Sequence, residues 1–221
     1  MAFLHFDGAT YDESDLEAAL RDVARGFART DHPSQDGDAT GWASRLVAAA
    51  LSSPLAAAAA RAIGRLLLSD DSREVELGVQ LQLSHKAASG ADTLLAMQRL
   101  HQRGERAQLK VLSTVMAHLV RSGRFAYTEQ LRHFADDPEA RDSLMKLFLT
   151  LDRSWVRKNI AALFPSDPAE AQAAMFWGLR GLSRAEIEAV QADLEPALSA
   201  LPPAVAQAVS AQMVHSLGEA S

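Results

Sequence analysis

Basic side chains concentrated in the middle of the chain are the residues best suited to bind a partner. Residues 99–158 hold 12 Lys or Arg against 7 Asp or Glu, a net charge of +5. The net charge is −5 over residues 1–50, −1 over 51–98 and −5 over 159–221. A basic stretch attracts phosphate groups or an acidic protein surface. The predicted partner-binding residues are nine of these cations and one aromatic side chain: Arg99, Arg103, Arg106, Lys110, Arg121, Arg124, Arg132, Trp155, Arg157 and Lys158.

A second interpretation of the same charges stays open. Acidic residues of this chain, such as Glu105 and Asp152, would neutralise the basic stretch and leave it without a partner. The formal net charge of the whole chain is −6, which supplies enough acidic groups for this.

Sequence signatures of catalysis and metal binding are absent. The chain has no Cys, which excludes disulfides, thiolate nucleophiles and Cys-based zinc or iron–sulfur sites. It also has no glycine-rich phosphate loop, no Gly-x-Ser-x-Gly turn and no His-Glu-x-x-His motif. Its 7 His include no pair three or four positions apart, the spacing of a helical metal site. We expect no metal, no cofactor and no enzymatic activity.

Two patterns could still bear on acid–base chemistry, and both have a simpler interpretation. Glu129 and His133 are four residues apart, which on a helix is the spacing of a surface pair. The pairs Asp70-Asp71 and Asp136-Asp137 each precede a predicted helix, where carboxylates act as caps. An all-α enzyme without a readable motif remains an alternative.

The elements that position these residues are predicted to be almost entirely helical. Apolar residues recur at helical spacing, and Pro, Gly and capping residues separate the segments. Residues 3–11 are predicted to be a short strand and turn or an extended arm, and residues 30–40 a loop. The predicted helices cover residues 15–29, 42–51, 54–68, 73–84, 91–103, 105–121, 128–134, 138–151, 154–164, 168–181, a segment from 184 that Pro196 kinks or shortens, and 203–217.

Several local features accompany these helices. Ser14 with Glu17 and Ser183 with Glu186 have the spacing of a capping box, and Ser53 before Pro54 that of a helix start. Residues 144–149 are apolar nearly all round, which predicts a central, buried helix. We expect Trp177 to pack in the core and Trp155, beside two basic residues, to lie at the surface.

Three helix starts share a pattern that resembles HEAT repeats. In residues 152–163 an Asp turn is followed by Val156-Arg157 and then Ala161-Ala162-Leu163, and residues 70–79 follow the pattern except that Glu76 stands where Arg is expected. The segment from Ser53 to Leu66 shares only the later part of this pattern, in which small and apolar residues recur. The resemblance covers roughly residues 54–199 and implies antiparallel helix pairs stacked as a short α-solenoid. The anchors Val75, Ala107 and Val156 are 32 and 49 residues apart, against ~40–47 in such arrays. An irregular helical bundle is the alternative.

The predicted organisation is one helical domain over residues 1–221. It consists of an N-terminal arm, helix and loop (1–40), a helical stack (41–199) and a C-terminal capping helix (200–221). The start of the chain lacks a basic region followed by an apolar one, and no apolar run is long enough to span a bilayer. We expect a cytoplasmic protein without membrane insertion, and its Ala- and Arg-rich composition is typical of bacteria.

These observations predict a non-catalytic scaffold or adaptor, such as a bacterial immunity or regulatory protein, that binds another protein with an acidic surface. The alternative is a nucleic-acid-binding protein similar to HEAT-like DNA glycosylases. That resemblance implies a basic groove with Trp and Asp, to which Trp155 and Asp152 near Arg157 would correspond. The negative net charge disfavours it because nucleic-acid-binding domains are usually basic.

Overall fold

A computed structural model describes residues 2–26 and 38–220 and confirms the all-α prediction. Within these residues the chain forms twelve α-helices, two 3₁₀ segments and one two-stranded hairpin. The strands are β1 (Leu4–Phe6) and β2 (Ala9–Tyr11). The helices are α1 (Glu13–Ala24), α2 (Ala39–Leu51), α3 (Ala56–Leu67), α4 (Ser72–His85), α5 (Gly90–Arg103), α6 (Arg106–Arg121), α7 (Pro138–Leu151), α8 (Arg153–Lys158), α9 (Ile160–Leu163), α10 (Pro168–Leu179), α11 (Arg184–Leu194) and α12 (Pro203–Glu219). The 3₁₀ segments are Glu129–Phe134 and Glu195–Ala200.

The hairpin at the start of the chain takes the strand-and-turn form predicted for residues 3–11. β1 and β2 are antiparallel, with Leu4 opposite Tyr11 and Phe6 opposite Ala9. The two turn residues, Asp7 and Gly8, both have positive φ angles, 52° and 79°. Positive φ at both central positions matches the right-handed twist of the strands, and Asp-Gly is a favoured pair for it.

Side-chain caps begin many of the helices as the sequence predicts. Asp71 accepts a hydrogen bond from the backbone N–H of Arg73 at the start of α4. Asp137 and Asp167 cap α7 and α10 in the same way, each before a Pro in the first turn. Ser183 forms the predicted capping box with Glu186 at the start of α11. Asp71 and Asp137, the second residue of each Asp-Asp pair, thus satisfy backbone N–H groups that the helix itself leaves without a partner.

The predicted start of the first helix is wrong. The capping residue is Asp12, whose side chain accepts from the N–H of Asp15, and Asp15 completes the capping box instead of Ser14 and Glu17. α1 ends at Ala24, so its predicted extension to residue 29 is too long. The predicted loop of residues 30–40 falls mostly outside the described residues. Asp38 caps α2, which therefore begins at Ala39, three residues earlier than predicted.

Two further helix boundaries differ from the prediction. α3 begins at Ala56 and not at Pro54, because the Ser53 side chain accepts a hydrogen bond from the N–H of Leu55 and holds a turn there. The helix predicted over residues 154–164 is two helices, α8 and α9, separated at Asn159. Asn side chains compete with the helix for backbone partners, and Asn159 donates to the carbonyl of Trp155 at 2.9 Å. Pro196 ends α11 at Leu194 as predicted, and a 3₁₀ segment follows.

The chain divides into two compact units, residues 1–125 and 126–221, called the N-terminal and C-terminal units below. In the N-terminal unit α3 packs on α4 and α5 on α6, and the two pairs meet through α3 with α5 and α4 with α6. The buried Glu74 of α4 forms ion pairs with Arg21 of α1 and with Arg25 directly after α1, at 3.5 and 2.7 Å, and accepts a hydrogen bond from Ser69. These contacts hold α1 against the helix pair.

In the C-terminal unit α10 packs against both α7 and α12, and α11 contacts α8 and α12. Leu144, Met145 and Phe148 of α7 are fully buried, which confirms the prediction of a central apolar helix. The organisation of residues 1–221 as one domain stays a prediction. No helix in the described parts of the chain is both long enough and apolar enough to cross a membrane.

Candidate partner-binding surfaces

One face of α6 carries a row of basic side chains. Arg106, Lys110, His118 and Arg121 are exposed, and Thr114 continues the row between Lys110 and His118. Successive positions are three or four residues apart, so these side chains share one face of the helix. We call Arg106, Lys110, His118 and Arg121 the basic row of α6; it is about 22 Å long at the rise of an α-helix.

The opposite face of α6 is apolar and fixes the orientation of the helix. Leu109, Leu112, Val115, Met116 and Leu119 are buried. No residue of α6 is acidic, so the helix contributes only positive charge to the surface. Arg124, which follows the left-handed Gly123, is also exposed. Four of the predicted partner-binding residues therefore lie on α6 or directly after it.

Arg99 and Arg103 of α5 make contacts within the N-terminal unit. Arg99 donates to the backbone carbonyl of Leu68 at the end of α3. Arg103 lies 3.3 Å from a carboxylate oxygen of Asp70 and 4.0 Å from one of Glu105. Cations at a helix C-terminus satisfy its last carbonyls and interact favourably with its dipole. These two residues hold α5 to the end of α3.

In the C-terminal unit two of the predicted partner-binding residues, Arg132 and Trp155, belong to a cluster around the carboxylate of Asp152. Arg132 donates to it through Nε at 2.7 Å and Nη2 at 3.1 Å, and the Tyr127 hydroxyl donates at 2.6 Å. The Arg132 guanidinium also lies 5.5 Å from the centre of the Trp155 ring, which packs edge-on against Phe148. We call Tyr127, Arg132, Asp152 and Trp155 the Asp152 cluster.

Burial and hydrogen bonding have opposite effects on the pKa of Asp152. Burial acts to raise the pKa of Asp152, but the hydrogen bonds from Arg132 and Tyr127 outweigh burial, so its pKa lies below the usual value. Burial and the hydrogen bond to Asp152 raise the pKa of Tyr127. The cluster is thus a carboxylate held ionised beside a neutral phenol, an arrangement that stabilises the start of α8.

A shallow polar pocket of about 290 Å³ adjoins Asp152. It is lined by Thr150, Leu151, Asp152, Arg153, Ser154, Arg157 and Asp193. Arg153 pairs with Asp193 across the pocket at 2.5 Å. Arg157 lines it as well, and both Arg157 and Lys158 are exposed on α8. Trp155 is half-buried beneath Arg132, a less exposed position than the sequence predicts.

The pair Glu129 and His133 does not form. Both lie in a 3₁₀ segment, where residues three apart are aligned, so Glu129 pairs with Arg132 at 3.2 Å and His133 is exposed. Across the described residues, no three His, Cys, Asp or Glu side chains are close enough to hold a metal ion.

The sequence prediction missed one surface because Trp177 was expected in the core. Its side chain is 49% exposed, and Phe176 beside it is 37% exposed. The Arg180 guanidinium lies 5.1 Å from the centre of the Trp177 ring. The sequence did contain a signal: apolar residues surround most of α10, and the helices that pack on it cannot cover all of them.

Comparison with models of protein families, with curated proteins and with solved structures finds no match to this chain.

Proposed function

We propose that the protein is a non-catalytic interaction scaffold that binds an acidic surface of another protein through basic side chains of residues 99–158. The observation that carries the proposal is the basic row of α6, with Arg124 directly after it. A row of about 22 Å is long enough to span a protein-binding patch. Arg is also among the residues that contribute most to protein interfaces.

The arrangement of α3 to α6 supports a HEAT-like stack as the framework for this surface. Helix pairs that contact each other through equivalent helices, as α3 does with α5 and α4 with α6, are the repeating feature of such stacks. In this proposal α6 is the second helix of the second pair, and its apolar face packs inward while its basic row faces a partner.

A protein partner is favoured over nucleic acid by the distribution of charge. The chain is acidic overall at −6, and residues 126–221 hold 13 acidic and 8 basic residues. Long nucleic acids would be repelled by this surplus, whereas a compact acidic patch on a protein can contact the basic row alone.

The test places a photocrosslinking amino acid at Thr114, between Lys110 and His118 of the basic row, in the full-length protein expressed in cells of its source organism. We expect a single protein adduct whose mass-spectrometric identity shows an acidic surface. The triple variant Arg106→Glu, Lys110→Glu, Arg121→Glu should abolish the adduct, because it replaces attraction by repulsion at three positions.

The matched control is Arg45→Glu, Arg73→Glu, Arg184→Glu, which changes three exposed cations elsewhere and alters the net charge equally. It should retain the adduct, and circular dichroism should show both variants folded. An adduct that survives the reversal of the basic row contradicts the proposal, as does the lack of any adduct at Thr114.

A gel shift with duplex DNA tests the nucleic-acid alternative. Phosphate binding weakens steeply with salt, by ~10³-fold or more between 50 and 200 mM for six or more contacts. Tight binding at low salt that is lost both at high salt and in the triple variant of the basic row would favour nucleic acid over a protein partner.

A further inference from the structure

The outward face of α10 carries an unusual row of four exposed residues: Glu170, Ala173, Trp177 and Arg180. Their spacings of three, four and three residues place them on one face of the helix, with Arg180 directly after its last turn. The inward residues Ala171, Ala174, Met175 and Gly178 are buried. Gly178 brings α10 especially close to α7, because a Cβ there would lie 2.6 Å from Leu149.

The outward surface of α10 exposes apolar side chains that water does not favour. Trp177 is 49% exposed and Phe176 is 37% exposed, although α10 has only one charged residue, Glu170, between Pro168 and Leu179. An exposed Trp stacked with an Arg is a composition typical of interface hot spots. Contiguous exposed apolar side chains of this kind mark interaction surfaces.

The row is symmetric about residue 175. Glu170 and Arg180 lie five residues to either side, and Ala173 and Trp177 lie two residues to either side. In an antiparallel helix pair related by a two-fold axis, each residue lies opposite its mirror position on the other copy. Glu170 would then oppose Arg180 of the second copy, and the small Ala173 would oppose the large Trp177 of the second copy.

We infer that α10 pairs antiparallel with α10 of a second copy of this chain, about a two-fold axis that crosses the exposed row at the level of residue 175, midway between Ala173 and Trp177. The pairing forms two Glu170–Arg180 ion pairs and places each Trp177 ring over Ala173 of the other copy. The protein is therefore a reversible homodimer.

The charges at the two ends of α10 support this occupant over an unrelated partner. Asp167 and Glu170 are the acidic residues at the N-terminal end of α10, and Arg180 is the basic residue at its C-terminal end. Antiparallel pairing sets acidic against basic at both ends and also opposes the helix dipoles. Among the described residues neither Glu170 nor Arg180 forms an ion pair within the chain.

The size of the contact sets the expected strength. A helix of 12 residues is about 18 Å long, so the interface falls in the small, reversible class. We expect a dissociation constant on the order of 10 μM. Sedimentation velocity of the full-length protein from about 1 to 500 μM, which brackets that value, should show monomer converting to dimer.

Charge exchange provides the specific test. Arg180→Glu places two acidic residues opposite each other twice per dimer, and Glu170→Arg does the same with two basic residues. Each variant alone should weaken dimerisation at least ~10-fold. An equimolar mixture of the two variants restores both ion pairs, so it should form a heterodimer with a dissociation constant close to that of the wild type.

Two further variants complete the experiment. Trp177→Ala removes the central aromatic contact and should weaken dimerisation at least ~30-fold. The control Arg184→Glu reverses an exposed cation of α11 that already pairs with Glu188, and it should leave dimerisation unchanged. Circular dichroism and thermal melting of every variant exclude unfolding as the cause.

The inference is overturned if the wild type stays monomeric at the highest concentration. It is equally overturned if a dimer forms that neither Trp177→Ala nor Arg180→Glu weakens, or if the folded single variants fail to associate in the mixture.

Discussion

At the scale of single residues, Asp152 has the most demanding environment in the C-terminal unit. Its carboxylate is 8% exposed and accepts three hydrogen bonds, two from Arg132 and one from Tyr127. Charged hydrogen bonds of this kind contribute more than neutral ones, and a buried partner left behind is costly. The stability of this unit should therefore depend on Asp152, which the sequence analysis identified only as part of the turn before a helix.

Asp152→Asn should lower the free energy of unfolding by about 2 kcal/mol. The substitution keeps the shape of the side chain but removes the charge that holds Arg132 and Tyr127. The control is Asp193→Asn, whose partner Arg153 is more exposed, and it should cost less than about 1 kcal/mol. Urea unfolding followed by circular dichroism measures both, and equal losses in the two variants would contradict the expectation.

The wild type and the Asp152→Asn variant should also differ in their response to acid. The pKa of Asp152 is lower in the folded than in the unfolded chain, so its contribution to stability is present above the unfolded value of about 4 and is lost as the pH falls through the folded value. The amide of the variant has no proton to gain. The difference in unfolding free energy between the two proteins should be constant above about pH 5 and shrink below about pH 4. A difference that stays constant down to the acid limit of folding would rule out this account.

Contacts between distant residues could not be predicted from the sequence at this scale. Tyr127 is 25 residues from Asp152, and no local spacing connects them. The exposure of Trp177 was mispredicted for a related reason, since burial depends on which helices cover α10. The capping role of Asp71 and Asp137 was predictable because it depends only on the next three residues.

At the scale of elements, glycines reveal where helices pack closest. A Cβ on Gly78 of α4 would lie 2.8 Å from the backbone nitrogen of Leu67 and 3.0 Å from the backbone of Leu66. Backbone atoms cannot move aside as a flexible side chain can. α3 and α4 therefore meet at Gly78 with no room for a methyl group.

Gly78→Ala should destabilise the protein by about 1–3 kcal/mol, although Ala favours helix by ~1 kcal/mol over Gly. Gly218 near the end of α12 is the matched control, because a Cβ there meets nothing within 4 Å. Gly218→Ala should leave stability unchanged or raise it by up to about 1 kcal/mol. Thermal unfolding of the two variants would show opposite shifts, and a stabilised Gly78→Ala protein would refute the close approach.

The existence of the helices could be predicted from the sequence. Their first and last residues could be predicted only where a single capping residue was possible. Apolar spacing and Pro or Gly positions predicted α4 to α7 within one or two residues. At α1, two overlapping capping patterns begin at Asp12 and Ser14, and periodicity alone does not choose between them. The division of α8 from α9 escaped prediction because a single Asn inside a helical pattern is often tolerated.

At the scale of the whole molecule, the predicted basic stretch is divided between two compact units. Arg99 to Arg124 belong to the N-terminal unit, and Arg132 to Lys158 belong to the C-terminal unit. The boundary falls between Phe125 and Ala126, inside residues 99–158, which the net charge had identified as one continuous basic stretch. Sequence composition could not place it, because neither a polar linker nor a low-complexity segment marks it.

The C-terminal unit contains its own core, and a fragment of residues 126–221 should fold alone. α7, α10, α11 and α12 contact one another within it, and Leu144, Phe148 and Met175 are fully buried there. Domains with an independent core fold as units. The fragment should show the circular dichroism of a helical protein and a single cooperative transition in urea. A shorter fragment of residues 138–221, which lacks Tyr127 and Arg132, is the comparator. That shorter fragment should be less stable by more than about 2 kcal/mol, since Asp152 loses both partners, α7 loses its cap Asp137, and the buried Leu131 and Phe134 are absent. A longer fragment that is unfolded in water would show that its core depends on residues 1–125.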